Sequence, residues 1–152
     1  MPEWNLVEIT DRAGRVLEPA WLERSEGVHR QLRPQLMADY AGAMQRVFEG
    51  GGRMVVATRD EAVYGVALWR SGVNTFAGRY LYVDDLVTDA AHRSRGAGKA
   101  LLARCAAIAT ELGCAELVLD SGVQRADAHR FYFREGMAIH AFNFSRSLAP
   151  RD

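Results

Sequence analysis

The chain has 152 residues, of which 49% are hydrophobic and 25% charged, and its formal net charge at pH 7 is zero. This length and composition predict one globular domain, residues 1–152, with enough chain to bury a core. The balanced charge gives no reason to expect a nucleic-acid partner or a membrane surface.

Targeting and redox signals are absent from the sequence. The first residues lack a basic and then apolar leader, and no apolar run approaches the roughly 20 residues that cross a bilayer. Cys105 and Cys114 do not have the spacing of metal ligands. We therefore expect a cytoplasmic protein with two buried, reduced thiols and no metal site.

The N-terminal half is divided by glycine and proline breaks and by changes in apolar spacing. The predicted elements are a strand over residues 5–10, helices over 17–33 and 34–49, and hairpin strands over 54–58 and 63–69. Three glycines, 50–52, are expected to end the second helix. Residues 71–78 are expected to be a polar, flexible connection.

The C-terminal half alternates strands and helices. Residues 80–88 are rich in aromatic and branched side chains and predict a central strand. The remaining predicted elements are a helix ending at Gly113, a fully buried strand over 117–120, a helix over 125–135 and a final strand over 137–146. Strand, helix and strand in succession imply a parallel pair, and the hairpin implies antiparallel neighbours. The predicted fold is therefore α/β, with a mixed central sheet and helices on both faces.

A basic, glycine-rich loop connects the central strand to the following helix. The first N–H groups of a helix have no partner within the helix, and with the helix dipole they attract anions, often phosphate. Gly96 and Gly98 allow close backbone approach, and Arg93, Arg95 and Lys99 add positive charge. The alternative is a solvated basic turn in an ordinary strand-to-helix connection.

Two common phosphate-loop patterns do not fit this loop. A P-loop needs glycine at position 93 and Ser or Thr at position 100, where the chain has Arg93 and Ala100. The dinucleotide fingerprint needs a third glycine at position 101, which is Leu101. The pattern that remains is [Q/R]-x-x-G-x-[G/A], and its matching residues are Arg93, Gly96 and Gly98.

With this loop and a second segment, LVLDSGVQRADAHRFYFREGM, the chain resembles the GNAT superfamily of N-acetyltransferases. The resemblance implies the single-domain GNAT (acyl-CoA N-acyltransferase) fold, with two parallel strands splayed around a pantetheine arm. It implies acetyl-CoA as co-substrate and a small-molecule or peptide amine that attacks directly in a ternary complex. A homodimer is a possibility that the family also offers.

The resemblance assigns cofactor contacts to two parts of the chain. The loop would hold the pyrophosphate, and the backbone of Leu86 and Val87 would orient the thioester. Arg125 stands where many members have Asn, so it would meet a coenzyme A phosphate or the contact would be lost. The predicted cofactor-binding residues are Leu86, Val87, Arg93, Ser94, Arg95, Gly96, Ala97, Gly98, Lys99, Arg125, Ala128 and Phe131.

Two residues are the predicted catalytic groups. By resemblance, the phenol of Tyr132 in the segment AHRFY would protonate the leaving thiolate; the alternative is a packed aromatic with a locally bonded hydroxyl. Asp84 could attract an ammonium group and accept its proton, or it could form a structural salt bridge. Strand alternation predicts that Asp84 and Asp85 lie on opposite faces.

The four histidines are weaker candidates for the site than Tyr132 and Asp84. His129 is expected to be a surface or capping residue and His140 to be semi-buried, and His29 and His92 have weaker claims to a site. A non-catalytic acyl-CoA sensor or an interaction module with the same fold stays open as the alternative function. Turnover of acetyl-CoA with a panel of amines separates these possibilities from an enzyme.

Overall fold

The computed structural model describes residues 3–150. The elements in chain order are β1 (Asn5–Glu8), α1 (Pro19–Leu32), α2 (Tyr40–Glu49), β2 (Arg53–Arg59), β3 (Ala62–Asn74), β4 (Gly78–Thr88), a short 3₁₀ helix (Ala90–His92), α3 (Ala97–Glu111), β5 (Glu116–Leu119) and α4 (Ala126–Arg134). The chain divides into two compact units, of which the first ends at Leu119 and the second begins at Asp120.

The first unit is built on one five-stranded sheet in the order β1-β2-β3-β4-β5. The first three pairings are antiparallel, and β4 pairs with β5 in parallel through the crossover helix α3. This confirms the predicted mixed sheet and its parallel pair.

Helices cover both faces of this sheet, as the sequence predicts. On one face, Met44 and Phe48 of α2 belong to a buried cluster with Val56 and Leu68 of the strands. On the other face, α3 packs closely because Gly65 has no side chain; a Cβ there would lie 2.8 Å from the nearest methyl carbon of Leu101.

The second helix begins later than predicted, at Tyr40 instead of residue 34. The carboxylate of Asp39 accepts a hydrogen bond of 3.0 Å from the Gly42 N–H and caps the helix. The preceding loop is held by Arg30, whose guanidinium donates to the carbonyls of Leu36 and Met37. Side-chain capping therefore overrides the proline signal at the start of the segment.

The flexible connection predicted over residues 71–78 is wrong. Strand β3 continues to Asn74 and β4 begins at Gly78, so most of this segment is paired backbone. Asn74 closes the turn by accepting hydrogen bonds from the N–H groups of Phe76 and Ala77. Polar side chains here mark the outer part of a long hairpin rather than a loop.

Burial differs from prediction near the end of the first unit. The strand β5 is not fully buried, because Glu116 is exposed and its other three residues are half-buried. Cys105 is buried as expected, whereas Cys114 is only half-buried, and both are free thiols. Helix α3 ends as predicted, with Gly113 in the left-handed region at φ +74°.

The second unit contains α4 and a C-terminal segment without regular secondary structure. Helix α4 lies within one residue of its predicted ends, and Tyr132 is its buried side chain. The final strand predicted over residues 137–146 is not formed, since a strand needs a neighbour for its backbone hydrogen bonds. His140, expected to be semi-buried, is exposed for the same reason.

Candidate functional site

The loop between β4 and α3 has a backbone shape held by contacts from other parts of the unit. Ser94 and Gly96 adopt left-handed conformations, with φ +63° and +90°. The indole N–H of Trp4 donates a 3.1 Å hydrogen bond to the carbonyl of Arg95. At the start of the turn, the carboxylate of Asp89 accepts a hydrogen bond from the Gln31 amide.

The N-terminus of α3 is open. Gly96 is its N-cap residue, no side chain caps it, and its first turn has no acidic residue. The Ala100 N–H bonds to the Gly96 carbonyl, so the earlier N–H groups of the turn have no partner within the helix. Ala97 and Gly98 lie in this first turn, not in the loop.

Positive side chains surround this helix end. Arg93, Arg95 and Lys99 are exposed, while Gly96 and Gly98 are half-buried. Free N–H groups, a positive helix end and three cations are features that attract an anion such as phosphate.

Leu86 and Val87 lie on the part of β4 that precedes the loop. Both are buried, and they pair with Ala67 and Val66 of β3, so their side chains point to opposite faces.

An irregularity in β4 changes the positions of the two aspartates. Leu68 of β3 pairs with Asp85, and the next residue, Trp69, pairs with Val83, so Asp84 is the extra residue of a β-bulge. The prediction that Asp84 and Asp85 lie on opposite faces is therefore wrong. A bulge shifts the alternation by one residue, and a regular strand pattern cannot show it.

The salt bridges of the aspartates confirm this geometry. The Asp84 carboxylate accepts a 2.8 Å hydrogen bond from Arg70 Nε. Arg70 lies two residues from Leu68 and therefore shares its face, which is the face on which Asp85 pairs. Arg33 links the two acids, because it bonds the Asp85 carboxylate and the backbone carbonyl of Asp84.

Asp85 belongs to a buried polar network with α1 and α2. Its carboxylate lies 2.7 Å from His29 Nε2, and His29 Nδ1 lies 2.7 Å from the Tyr40 hydroxyl. The Tyr40 hydroxyl also contacts Ser25 Oγ at 3.1 Å. His29, Asp85 and Tyr40 are all buried, so this network has little access to solvent.

The pKa values of Asp85 and Tyr40 in this network shift in opposite directions. Burial by itself would raise the pKa of Asp85, but hydrogen bonds from His29 and Arg33 outweigh it and lower the pKa. Asp85 is thus a carboxylate, and His29 Nε2–H donates to it. Burial raises the pKa of Tyr40 to about 12, so its phenol stays neutral.

Asp84 has the opposite shift. Burial raises its pKa, and the hydrogen bond and charge of Arg70 only partly offset this effect. Its side chain retains 22% of its exposure. Asp84 is therefore the more accessible and more basic member of the pair.

The other predicted site residues lie in the second unit. Tyr132 is 9% exposed, and burial raises the pKa of its phenol, with a smaller opposing effect of Arg125. Ala128 and Phe131 are half-buried, and the rings of Phe131 and Tyr132 lie 5.4 Å apart. His129 has a local role, since its ring contacts the Gly122 carbonyl at 2.8 Å.

The sequence did not identify Ser25, His29 and Tyr40 as members of the buried network. It also did not identify Trp4, whose indole holds the loop. His29 shares a helix face with the buried Leu22 and Ser25, and this spacing was a signal for burial. Nothing local in the sequence indicates that Trp4 contacts the loop, because 91 positions separate it from Arg95. No group of metal-ligating side chains occurs within residues 3–150, and none of their helices could span a membrane.

Two sequence comparisons both match this chain to acetyltransferases. The model of the family described as "Acetyltransferase (GNAT) family" matches residues 16–137. The uncharacterized N-acetyltransferase YhdJ of Bacillus subtilis (strain 168) is 41% identical over 77 residues, which are 50% of this chain and 54% of that protein. The matched region thus spans about half the length of that relative.

Solved structures share the fold across nearly the whole chain. The aminoglycoside N-acetyltransferase AAC(6')-Iy, in complex with a CoA bisubstrate analog, has a TM-score of 0.79 at 17% identity and covers 97% of this chain and 100% of its own. The ribosomal-protein-alanine N-acetyltransferase of Brucella melitensis biovar Abortus 2308 has a TM-score of 0.78, with the same identity and coverage. At this identity the likeness shows the fold alone, and it confirms the predicted fold class.

Proposed function

Because the chain belongs to the GNAT acetyltransferase family, we propose that it transfers the acetyl group of acetyl-CoA to a primary amine. Enzymes of this family use acetyl-CoA as co-substrate. The observation that carries the proposal for this chain is the open, cationic N-terminus of α3 beneath the loop held by Trp4.

Donor binding uses the loop and the end of β4. The N–H groups at the start of α3 would bond the pyrophosphate oxygens, and Arg93, Arg95 and Lys99 would neutralise their charge. The backbone groups of Leu86 and Val87 would orient the thioester. Arg125, Ala128 and Phe131 complete the proposed donor contacts.

Transfer would proceed by direct attack in a ternary complex. The nitrogen of the neutral amine bonds to the thioester carbonyl carbon and loses one proton to water, the carbon–sulfur bond breaks, and the thiolate takes a proton from the phenol of Tyr132, which regains one from water. The raised pKa of Tyr132 supports this role, since the phenol is protonated at neutral pH. An acyl-enzyme on Cys105 is disfavoured because burial raises its pKa to about 12.

Asp84 of β4 suggests that the acceptor carries a positive charge. A substrate ammonium group would be attracted to Asp84, which would then accept a proton directly or through water. Asp84 pairs with Arg70 through one carboxylate oxygen, and its partial exposure and raised pKa support this assignment over Asp85, whose two carboxylate oxygens are bonded by His29 and Arg33. The proposed acceptor is therefore a cationic small-molecule or peptide amine.

An acceptor screen tests the proposal. Release of free coenzyme A thiol is followed with polyamines, aminoglycosides, amino acids and peptides with free N-termini, against a reaction without acceptor. Amine-dependent release supports the enzyme. Tight binding of acetyl-CoA with no release for any amine supports the sensor or interaction module, which the Asp84–Arg70 ion pair would also suit. The single-domain organisation and the cytoplasmic location stay predictions from the sequence.

A further inference from the structure

Asp89 stands where β4 ends and the connection to α3 begins, and contacts from two sides meet on it. Its N–H donates a 2.9 Å hydrogen bond to the Tyr64 carbonyl, next to the last pair of β3 and β4. One carboxylate oxygen accepts a 2.8 Å hydrogen bond from the Gln31 amide, and the other contacts Nδ1 of His92. The N–H and both carboxylate oxygens of Asp89 are therefore all bonded.

Gln31 on α1 bonds this turn with both ends of its side-chain amide. Nε2 donates to the Asp89 carboxylate, and Oε1 accepts a 2.9 Å hydrogen bond from the Ala90 N–H. Only one orientation of the amide satisfies a donor and an acceptor on adjacent residues, so the contact selects one arrangement of the turn. Gln31 is exposed, so burial does not require this pairing.

The hydrogen bond from Gln31 also acts on the charge of Asp89. It is the largest of the effects that lower the pKa of the Asp89 carboxyl, and the hydrogen bond from His92 is the next. Asp89 is therefore ionised at neutral pH and needs a donor at the position of Gln31 Nε2. A carboxylate at that position would instead repel it.

The turn at Asp89 leads into the loop, residues 93–96, that precedes α3. On the side of the sheet, the ring of His92 packs edge-on against Tyr64 at 4.9 Å, and Tyr64 lies 5.4 Å from the ring of Trp4. The Trp4 indole bonds the carbonyl of Arg95 within the loop. Gln31 adds a second anchor, from α1, at the start of the same connection.

The end of α1 also holds the acidic residues of β4. His29 and Arg33 lie two positions before and after Gln31, and both bond the Asp85 carboxylate. Arg33 also donates to the backbone carbonyl of Asp84. One end of one helix therefore contacts both the acidic part of β4 and the start of the loop.

We propose that Gln31 is a positioning residue of the donor site. It fixes the start of the loop relative to α1 and so sets the first N–H groups of α3 in the place where they meet the pyrophosphate. Gln31 acts through Asp89 and Ala90 rather than by contact with the donor. This role rests on the proposed function, because acetyl-CoA is the ligand of the loop only under that function.

Two substitutions of Gln31, compared by calorimetric titration with acetyl-CoA, test this role. Gln31→Met keeps the length and helix preference of the side chain and loses both hydrogen bonds, so binding should weaken about tenfold or more at every pH. Gln31→Glu keeps an acceptor for the Ala90 N–H but places a carboxylate against Asp89. Its binding should be as weak at about pH 8 and should recover towards about pH 5, where the two carboxylates share a proton.

Gln45→Glu is the matched control. The Gln45 amide donates a 3.2 Å hydrogen bond to the Glu49 carboxylate, so this change also places one carboxylate beside another, but within α2. The ratio of its acetyl-CoA affinity to that of the unaltered protein should stay near one at both pH values. A control that weakens as much as Gln31→Glu would contradict the role of Gln31.

Backbone amide resonances supply a readout that needs no ligand. In the free protein, Gln31→Met should shift the resonances of residues 93–96 and leave the melting temperature nearly unchanged, because surface substitutions change stability little. If the unaltered protein binds acetyl-CoA and Gln31→Met binds it equally well, or if the loop resonances do not move, the positioning role is wrong and the proposed function stands. A loss in Gln31→Glu that is equal at both pH values would also overturn the role. If the unaltered protein does not bind acetyl-CoA, the proposed function fails and the role of Gln31 fails with it.

Discussion

His29 on α1 and Asp85 on β4, 56 positions apart in the chain, are joined by a 2.7 Å hydrogen bond between His29 Nε2 and an Asp85 carboxylate oxygen. Arg33, at the end of the same helix, bonds the other carboxylate oxygen. This buried arrangement fixes α1 on the sheet at the level of the β-bulge, next to the more exposed Asp84.

Asp85→Asn is expected to lower the free energy of unfolding by about 1–3 kcal/mol, because the donors of His29 and Arg33 lose the charged form of a buried acceptor. Chemical denaturation at neutral pH measures it. The control is Asp127→Asn, which removes an exposed partner of Arg130 and should cost less than about 1 kcal/mol.

The same substitution should also change the acid limb of the stability curve. The pKa of Asp85 is lower in the folded state, so its contribution is complete above the unfolded pKa of about 3.9 and is lost as pH falls through the folded pKa. The difference between the unaltered protein and Asp85→Asn should therefore shrink with acidification below about pH 4. A difference that stays constant down to the acid transition would contradict the assigned role.

Gly98→Glu should abolish acetyl-CoA binding in a folded protein. The new carboxylate enters the first turn of α3, where it repels pyrophosphate and blocks close approach of the backbone. Calorimetric titration measures the affinity. Gly27→Glu adds the same side chain to α1, where a Cβ meets nothing within 4 Å, and it should bind acetyl-CoA normally. Unchanged affinity of the Gly98 variant would remove the loop from the donor site.

Trp4→Phe keeps an aromatic ring beside Tyr64 and removes the indole N–H that bonds the Arg95 carbonyl. If this bond holds the loop in its binding shape, the affinity for acetyl-CoA should fall about fivefold, which corresponds to about 1 kcal/mol for one net hydrogen bond. The Michaelis constant for the amine should not change. An equal change in both constants would indicate a wider disturbance of the fold.

Asp84→Asn retains an oxygen that can accept from Arg70 and removes only the charge. We expect the Michaelis constant for a cationic amine to rise by about tenfold, and the rate near neutral pH to fall, because attraction and proton acceptance are both lost. Steady-state kinetics with saturating acetyl-CoA measures both. Asp60→Asn removes the same charge from the exposed β2–β3 turn and should have no effect. Kinetics equal to those of the unaltered protein would leave Asp84 with a structural role in its pair with Arg70.

Tyr132→Phe keeps the ring and its packing and removes the hydroxyl. If the phenol protonates the leaving thiolate, kcat should fall by about 10²-fold or more, in the range of general acid loss. Acetyl-CoA affinity should change little, and stability should hold within about 1 kcal/mol. Full activity with an acceptor whose chemical step limits turnover would exclude the acid role, and a large loss of stability would indicate a structural tyrosine.

Local patterns in the sequence were sufficient for the strand-loop-helix unit. The aromatic and branched residues of β4, the glycines at 96 and 98 and the apolar spacing of α3 act over a few residues each, and the structure has this unit nearly at its predicted bounds. The mixed sheet follows from the order of such elements, because a strand-helix-strand sequence and a hairpin each permit few arrangements.

The tertiary structure decided the arrangement of the acidic residues. The β-bulge at Asp84 depends on how β3 pairs with β4, so no periodicity within β4 reveals it. His29 and Asp85 meet only when α1 packs on the sheet, and Trp4 reaches the loop across 91 positions. Residues 137–146 follow the same rule: a strand pattern becomes a strand only where another backbone offers it hydrogen bonds.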